Sequence, residues 1–189
     1  MNLNECWMPD AQQKTFRAVL DGFSRPGTKV KLNDFKADAV LVLLVALLDE
    51  SVTLADTIDY LSPDRRRLLL APDAAPMHAR FVLSNGAEAP ASDFSPSLGT
   101  LESPELGATL VLKVSDLASV PRVGCTTLIL RGPGIAGACE VHVAGLHPEW
   151  LARRAGWVGA YPLGVDLVLC APDCLTALPR TTIIEIRKD

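Results

Sequence analysis

Hydrophobic positions along the chain fall into blocks whose period changes from end to end. Tyr161–Ile186, YPLGVDLVLCAPDCLTALPRTTIIEI, holds two apolar runs, Val165–Cys170 and Cys174–Leu178, separated by Ala171-Pro172-Asp173. A third run, Thr182–Ile186, follows the break at Pro179-Arg180. Proline fixes φ and aspartate bonds its own backbone, so the first break predicts a tight reversal between two strands. Val and Leu occupy both faces of the first run, the pattern of a strand covered on both sides at the centre of a sheet. A three-residue loop would set Cys170 opposite Cys174 and Asp166 opposite Leu178, with Arg180 the diagonal neighbour of Asp166.

Upstream, Phe16, Val19, Leu20 and Phe23 recur at helical spacing and predict an amphipathic helix over 11–24. Asp10 is its expected N-cap, Gln13 stands at the capping-box position, and Pro26-Gly27 ends it. Thr28–Leu32 reads as a short strand before a polar turn at Asn33-Asp34. Ala39–Leu48 is apolar around its whole circumference. It is shorter than the ~20 residues that span a bilayer, so a helix buried against a sheet is expected. Val52–Ala55 is the next strand, and Ser62-Pro63-Asp64 opens a short helix carrying Arg65, Arg66 and Arg67. His78–Leu83, Thr109–Val114, Thr126–Arg131 and Glu140–Val143 read as strands, with a Gly-, Ala-, Ser- and Pro-rich loop over 85–104. His147-Pro148 starts a helix that turns Trp150, Leu151 and Trp157 to the body. Interleaved helices and strands of this kind predict an α/β fold, a three-layer αβα arrangement around a mixed sheet, in one domain over 1–189.

Composition narrows the function classes. Hydrophobic residues are 49% and charged residues 21% of the chain, and the net charge is −4, which leaves no basic footprint for nucleic acid. Aromatic residues are only 5%, too few for a base-stacking platform. MNLNECWMPD has no basic stretch followed by an apolar one, so a cytoplasmic protein without membrane attachment is expected. The five cysteines, Cys6, Cys125, Cys139, Cys170 and Cys174, lie mostly in apolar surroundings and read as reduced thiols.

Candidate chemistry is sparse. Gly132-Pro133-Gly134-Ile135-Ala136-Gly137 has the G-x-G-x-x-G spacing, but it runs into the strand-like Cys139–Val143 instead of a helix, and Pro133 removes an amide donor. A turn between strands is the expectation. His78, His142 and His147 are scattered, and Cys170 and Cys174 have no second pair at zinc spacing, so no metal site is expected. No Gly-x-Ser-x-Gly elbow and no phosphate-binding Gly-Lys-Ser/Thr occurs. Asp166 is the most informative polar residue, because a carboxylate in an apolar strand needs a partner. Arg180 is that partner, with Thr181 and Thr182 adding hydroxyls. Two roles stay open for Arg180: a buried pair that fixes the hairpin, or a ligand-facing guanidinium. In the second role a pocket would gather Arg25, Asp49, Asp166, Arg180 and Thr181 around the oxygens of an anionic ligand.

Five segments, taken in order, resemble the PhnH family of the bacterial carbon–phosphorus lyase system for phosphonate degradation. They are Ser24-Arg25-Pro26-Gly27, Glu105-Leu106-Gly107-Ala108-Thr109-Leu110, Arg131-Gly132-Pro133-Gly134-Ile135, Tyr161-Pro162-Leu163-Gly164-Val165-Asp166 and Leu178-Pro179-Arg180-Thr181-Thr182. The likeness is thinnest across 60–105, where the chain is shortened. The resemblance implies a fold similar to the large domain of pyridoxal-phosphate-dependent transferases without that cofactor. Lys113 is the one lysine in a strand-like setting that a Schiff base would call for. The resemblance further implies a homodimer that joins PhnG, PhnI and PhnJ. It implies an accessory role in making ribose 1-phosphonate 5-triphosphate from ATP and a phosphonate. No catalytic residue and no cofactor carries over.

Overall fold

The computed structural model describes residues 5–32 and 37–187, and the expected turn at Asn33-Asp34 lies outside them. Four helices are described: α1 (Pro9–Ser24), α2 (Ala39–Leu47), α3 (Pro63–Leu69) and α4 (Pro148–Trp157). The first strands are β1 (Val30–Lys31), β2 (Leu54–Asp56), β3 (Phe81–Asn85), β4 (Thr109–Lys113) and β5 (Asp116–Ala118). The rest are β6 (Cys125–Arg131), β7 (Cys139–Ala144), β8 (Asp166–Cys170), β9 (Cys174–Leu178) and β10 (Ile183–Ile186).

A six-stranded mixed sheet runs in the order β1-β9-β8-β4-β3-β2. Strands β2, β3, β4 and β8 are parallel, and β9 and β1 add antiparallel at one side. The expected hairpin is present at the middle of the sheet, one residue out of the expected register. Leu167 pairs with Leu178 and Cys170 with Leu175, and Ala171 N–H bonds the Cys174 carbonyl at 2.9 Å to close the turn. Paired residues of an antiparallel ladder share a face. Cys170 and Leu175 both pack towards α1 and α2, whereas Cys174 packs on the opposite side. Both faces are apolar, so the hydrophobic pattern does not choose between the registers.

Helices α1 and α2 cover one face. The Asp38 carboxylate accepts from Val40 N–H at 2.9 Å and starts α2, whose residues Ala39–Val45 are all buried, as their apolar pattern predicts. In α1 the chain enters through Pro9, with Met8 rather than Asp10 at the N-cap. Its buried side is Ala11, Thr15, Val19 and Gly22, while Phe16 and Leu20 face outward. A Cβ on Gly22 would stand 2.9 Å from the Val30 side chain, so the small residue lets helix and strand close together and turns the bulky ones out.

The second face departs from the αβα expectation. β6 and β7 do not join the mixed sheet but form a separate antiparallel one, ordered β10-β6-β7-β5. Its Leu128, Leu130, Val141 and Val143 share a core with Val82, Leu110, Leu112, Leu167 and Leu169, and α4 adds Trp150 and Leu151. The layers are therefore helices, mixed sheet, then antiparallel sheet with α4. The glycine-rich Gly132–Gly137 segment is the β6–β7 turn, with φ of 134° at Gly132, 80° at Gly134 and 75° at Gly137.

Candidate functional site

The chain leaves β9 at Leu178 and turns at Pro179-Arg180 into β10, where Thr182 N–H bonds the Pro179 carbonyl at 2.9 Å. That turn brings Arg180 over the first residue of β8. The Arg180 backbone N–H donates to Asp166 Oδ1 at 2.7 Å, its Nη2 to Oδ2 at 2.8 Å, and its Nε to Oδ1 at 3.4 Å. Nη1 donates to the Pro104 carbonyl at 2.8 Å and the Pro162 carbonyl at 3.2 Å. The side chains of Arg180 and Asp166 are 13% and 22% exposed. One guanidinium thus ties together the β8 start, the β9–β10 turn and two loops. Gly107 permits this. A Cβ there would meet the Gly164 carbonyl at 2.3 Å and both Nη atoms of Arg180 at 3.0 Å.

Two further arginines stand around Asp166. Arg80 Nη1 donates to the Gly107 carbonyl at 2.6 Å, and its pKa is lowered by burial and by Arg180, with Asp166 and Glu105 opposing. Arg154, on α4, is only 4% exposed and donates to the carbonyls of Thr182 and Pro179. Burial pushes its guanidinium down to about 10, with the Asp166 charge partly opposing. Sequence reading missed Arg154, although its position three after Leu151 and four after Trp150 puts it on the inward side of the helix. Leu151, Arg154, Val158, Arg180, Thr182 and Ile184 are among the residues that line a groove of about 630 Å³ between α4 and β10.

The other expected site residues are placed separately. Thr181 is exposed at the mouth of that groove. Arg25 caps α1 and pairs with Asp21 on the surface. Asp49 is exposed and accepts from the Ser51 hydroxyl and amide at 2.6 and 2.8 Å, bonds that hold its carboxyl below the usual range. None of the bonds described for Arg25 or Asp49 joins the Asp166 cluster. Lys113 Nζ lies 4.2 Å from the Tyr60 ring centroid, a cation–π contact. A second cavity of about 570 Å³ lies at the ends of β2 and β3, and several of its polar groups are bonded within the protein. The Thr57 and Ser84 hydroxyls are 2.9 Å apart, and Trp150 Nε1 donates to the Glu88 carbonyl at 2.8 Å. Among the described residues no cluster of His, Cys, Asp or Glu could hold a metal, and no helix is long and apolar enough to cross a membrane.

The segments singled out in the sequence touch in series. A Cβ on Gly134 would lie 2.2 Å from the Ser24 carbonyl, one on Gly132 2.9 Å from the Thr181 carbonyl, and Gly107 abuts both Gly164 and Arg180. Stretches far apart in the chain thus meet through a series of close backbone approaches around the turns that enter and leave β8, β9 and β10. This is an α/β protein whose distinctive residues secure those turns, with a groove beside them.

Comparison with known sequences agrees. The family described as "Bacterial phosphonate metabolism protein (PhnH)" matches residues 5–185, so the chain belongs to the PhnH family. It is 39% identical to the putative C-P lyase subunit protein HtxG of Stutzerimonas stutzeri, over 96% of this chain and 89% of that one. It is 31% identical to the alpha-D-ribose 1-methylphosphonate 5-triphosphate synthase subunit PhnH of Rhizobium meliloti (strain 1021), over 92% of this chain and 90% of that one.

Proposed function

We propose that this chain is a subunit of a carbon–phosphorus lyase assembly, supporting formation of ribose 1-phosphonate 5-triphosphate from ATP and a phosphonate, and that its own part is structural. The observation that carries the reading is the family match over 5–185, together with two near full-length relatives that are both named as subunits. The accessory role is supported by the Asp166–Arg180 pair. Its carboxylate and most of its guanidinium donors are spent on holding the protein's own turns, which leaves little for a substrate.

On this reading the partners are a second copy of the chain and PhnG, PhnI and PhnJ, in the cytoplasm, and residues 1–189 act as one PhnH-like unit without a cofactor. Exposed apolar side chains support a partner-facing surface: Met8, Phe16 and Leu20 along the outer side of α1 are 59%, 48% and 58% exposed. The kinship with the large domain of pyridoxal-phosphate-dependent transferases belongs to the same proposal, and the parallel β2–β3–β4–β8 run supports it. Co-expression of the tagged chain with PhnG, PhnI and PhnJ, followed by mass measurement, tests the subunit role. Turnover of ATP and methylphosphonate by the chain alone would overturn the accessory part.

A further inference from the structure

Arg154 is a buried cation whose bonds are incomplete. Its Nη1 donates to the Thr182 carbonyl at 3.2 Å and its Nη2 to the Pro179 carbonyl at 2.7 Å, both neutral acceptors. A guanidinium carries five N–H donors. Among the described residues Nε meets no hydrogen-bond partner, and neither does the hydroxyl of Thr182, a residue only 2% exposed. No salt bridge to Arg154 occurs among the described residues, and both oxygens of the nearby Asp166 are already held by Arg180. Charge around it is unbalanced too. Asp166, already paired with Arg180, is the carboxylate whose charge reaches both Arg80 and Arg154, and Glu105 is the other carboxylate felt at Arg80.

Leaving a buried charge and a buried hydroxyl unsatisfied is costly, and native proteins rarely do it without use. Both residues line the groove between α4 and β10, whose volume of about 630 Å³ is that of a small-molecule site. Leu151, Val158 and Ile184 give this groove an apolar wall. A planar guanidinium recognises tetrahedral oxyanions through paired N–H bonds.

We propose that this groove binds a small organic oxyanion of the phosphate or phosphonate class, with Arg154 and Thr182 receiving the oxygens and the apolar wall receiving the organic substituent. The anchor is Arg154, not Arg180, which stays with Asp166. Binding is a property of the isolated chain and does not depend on the subunit reading, so either can fail alone.

Calorimetric titration and thermal melts of the full chain with inorganic phosphate, methylphosphonate and phenylphosphonate, at matched ionic strength, test this. Saturable binding is expected, tightest for phenylphosphonate because its ring meets the apolar wall. Arg154→Lys keeps the charge but loses the fork and should weaken binding about tenfold or more. Because that variant alters a buried residue, Ala155→Glu provides a second arm. Ala155 is exposed at the groove, and a carboxylate there should repel the ligand while the ligand-free melting temperature stays within about 2 °C. No saturable binding by the wild-type chain would overturn the proposal. Equal binding by wild type and the folded Ala155→Glu variant would do so as well.

Discussion

Replacing Arg180 by methionine keeps an apolar stem of similar length and removes the guanidinium. The change deletes the Nη2 and Nε bonds to Asp166 and the two Nη1 bonds to the Pro104 and Pro162 carbonyls. Asp166 keeps the backbone N–H of residue 180 at 2.7 Å. Breaking one side of a buried ion pair costs ~3–5 kcal/mol. The partial exposure of both side chains and the retained amide bond place this case at the lower end, ~3 kcal/mol. For a chain of this size that corresponds to a melting temperature lower by about 6–12 °C. Urea unfolding followed by the fluorescence of the three tryptophans measures it, with an unchanged m-value as the sign that only stability moved. Asp166→Asn and the double variant complete a cycle that isolates the pair. A loss below about 0.5 kcal/mol, or no coupling in the cycle, would refute the structural reading of Arg180 and free it for a ligand.

Gly107→Ala places a Cβ against the Gly164 carbonyl and the Arg180 fork, so it should cost ~1–3 kcal/mol in the same unfolding assay. Burial pushes the Cys174 thiol up to about 11 from an ordinary 9.0. The folded chain therefore keeps a proton that the unfolded chain gives up. This contribution to stability is intact below about pH 9 and lost as pH rises towards 11, by up to about 2–3 kcal/mol. Cys174→Ala should flatten that alkaline slope, and an identical slope in both proteins would refute the assignment.

Much of the fold is legible because burial writes itself into local pattern. The unbroken apolar circumference of α2 and the two-sided apolar run of β8 state their positions outright. Register in the β8–β9 hairpin is not legible, since a strand apolar on both faces tolerates a one-residue slip in sequence but not in the packed core. Strands β6 and β7 show ordinary strand character, and nothing local says that they leave the mixed sheet for a second one. Asp166 and Arg180 are readable as partners because an apolar strand makes a carboxylate conspicuous. Arg25 and Asp49, read as members of a pocket with Asp166, are surface groups with local partners. Arg154 was the hidden residue: arginine on a helix looks solvated, and only its phase against Trp150 and Leu151 turns it inward.

On the proposed reading this chain works as part of an assembly. The most direct test is co-purification of the tagged chain with PhnG, PhnI and PhnJ, read by native mass measurement. Stoichiometric incorporation is the predicted result. A chain that purifies alone or as its own dimer, ignoring all three while they assemble with one another, would contradict it.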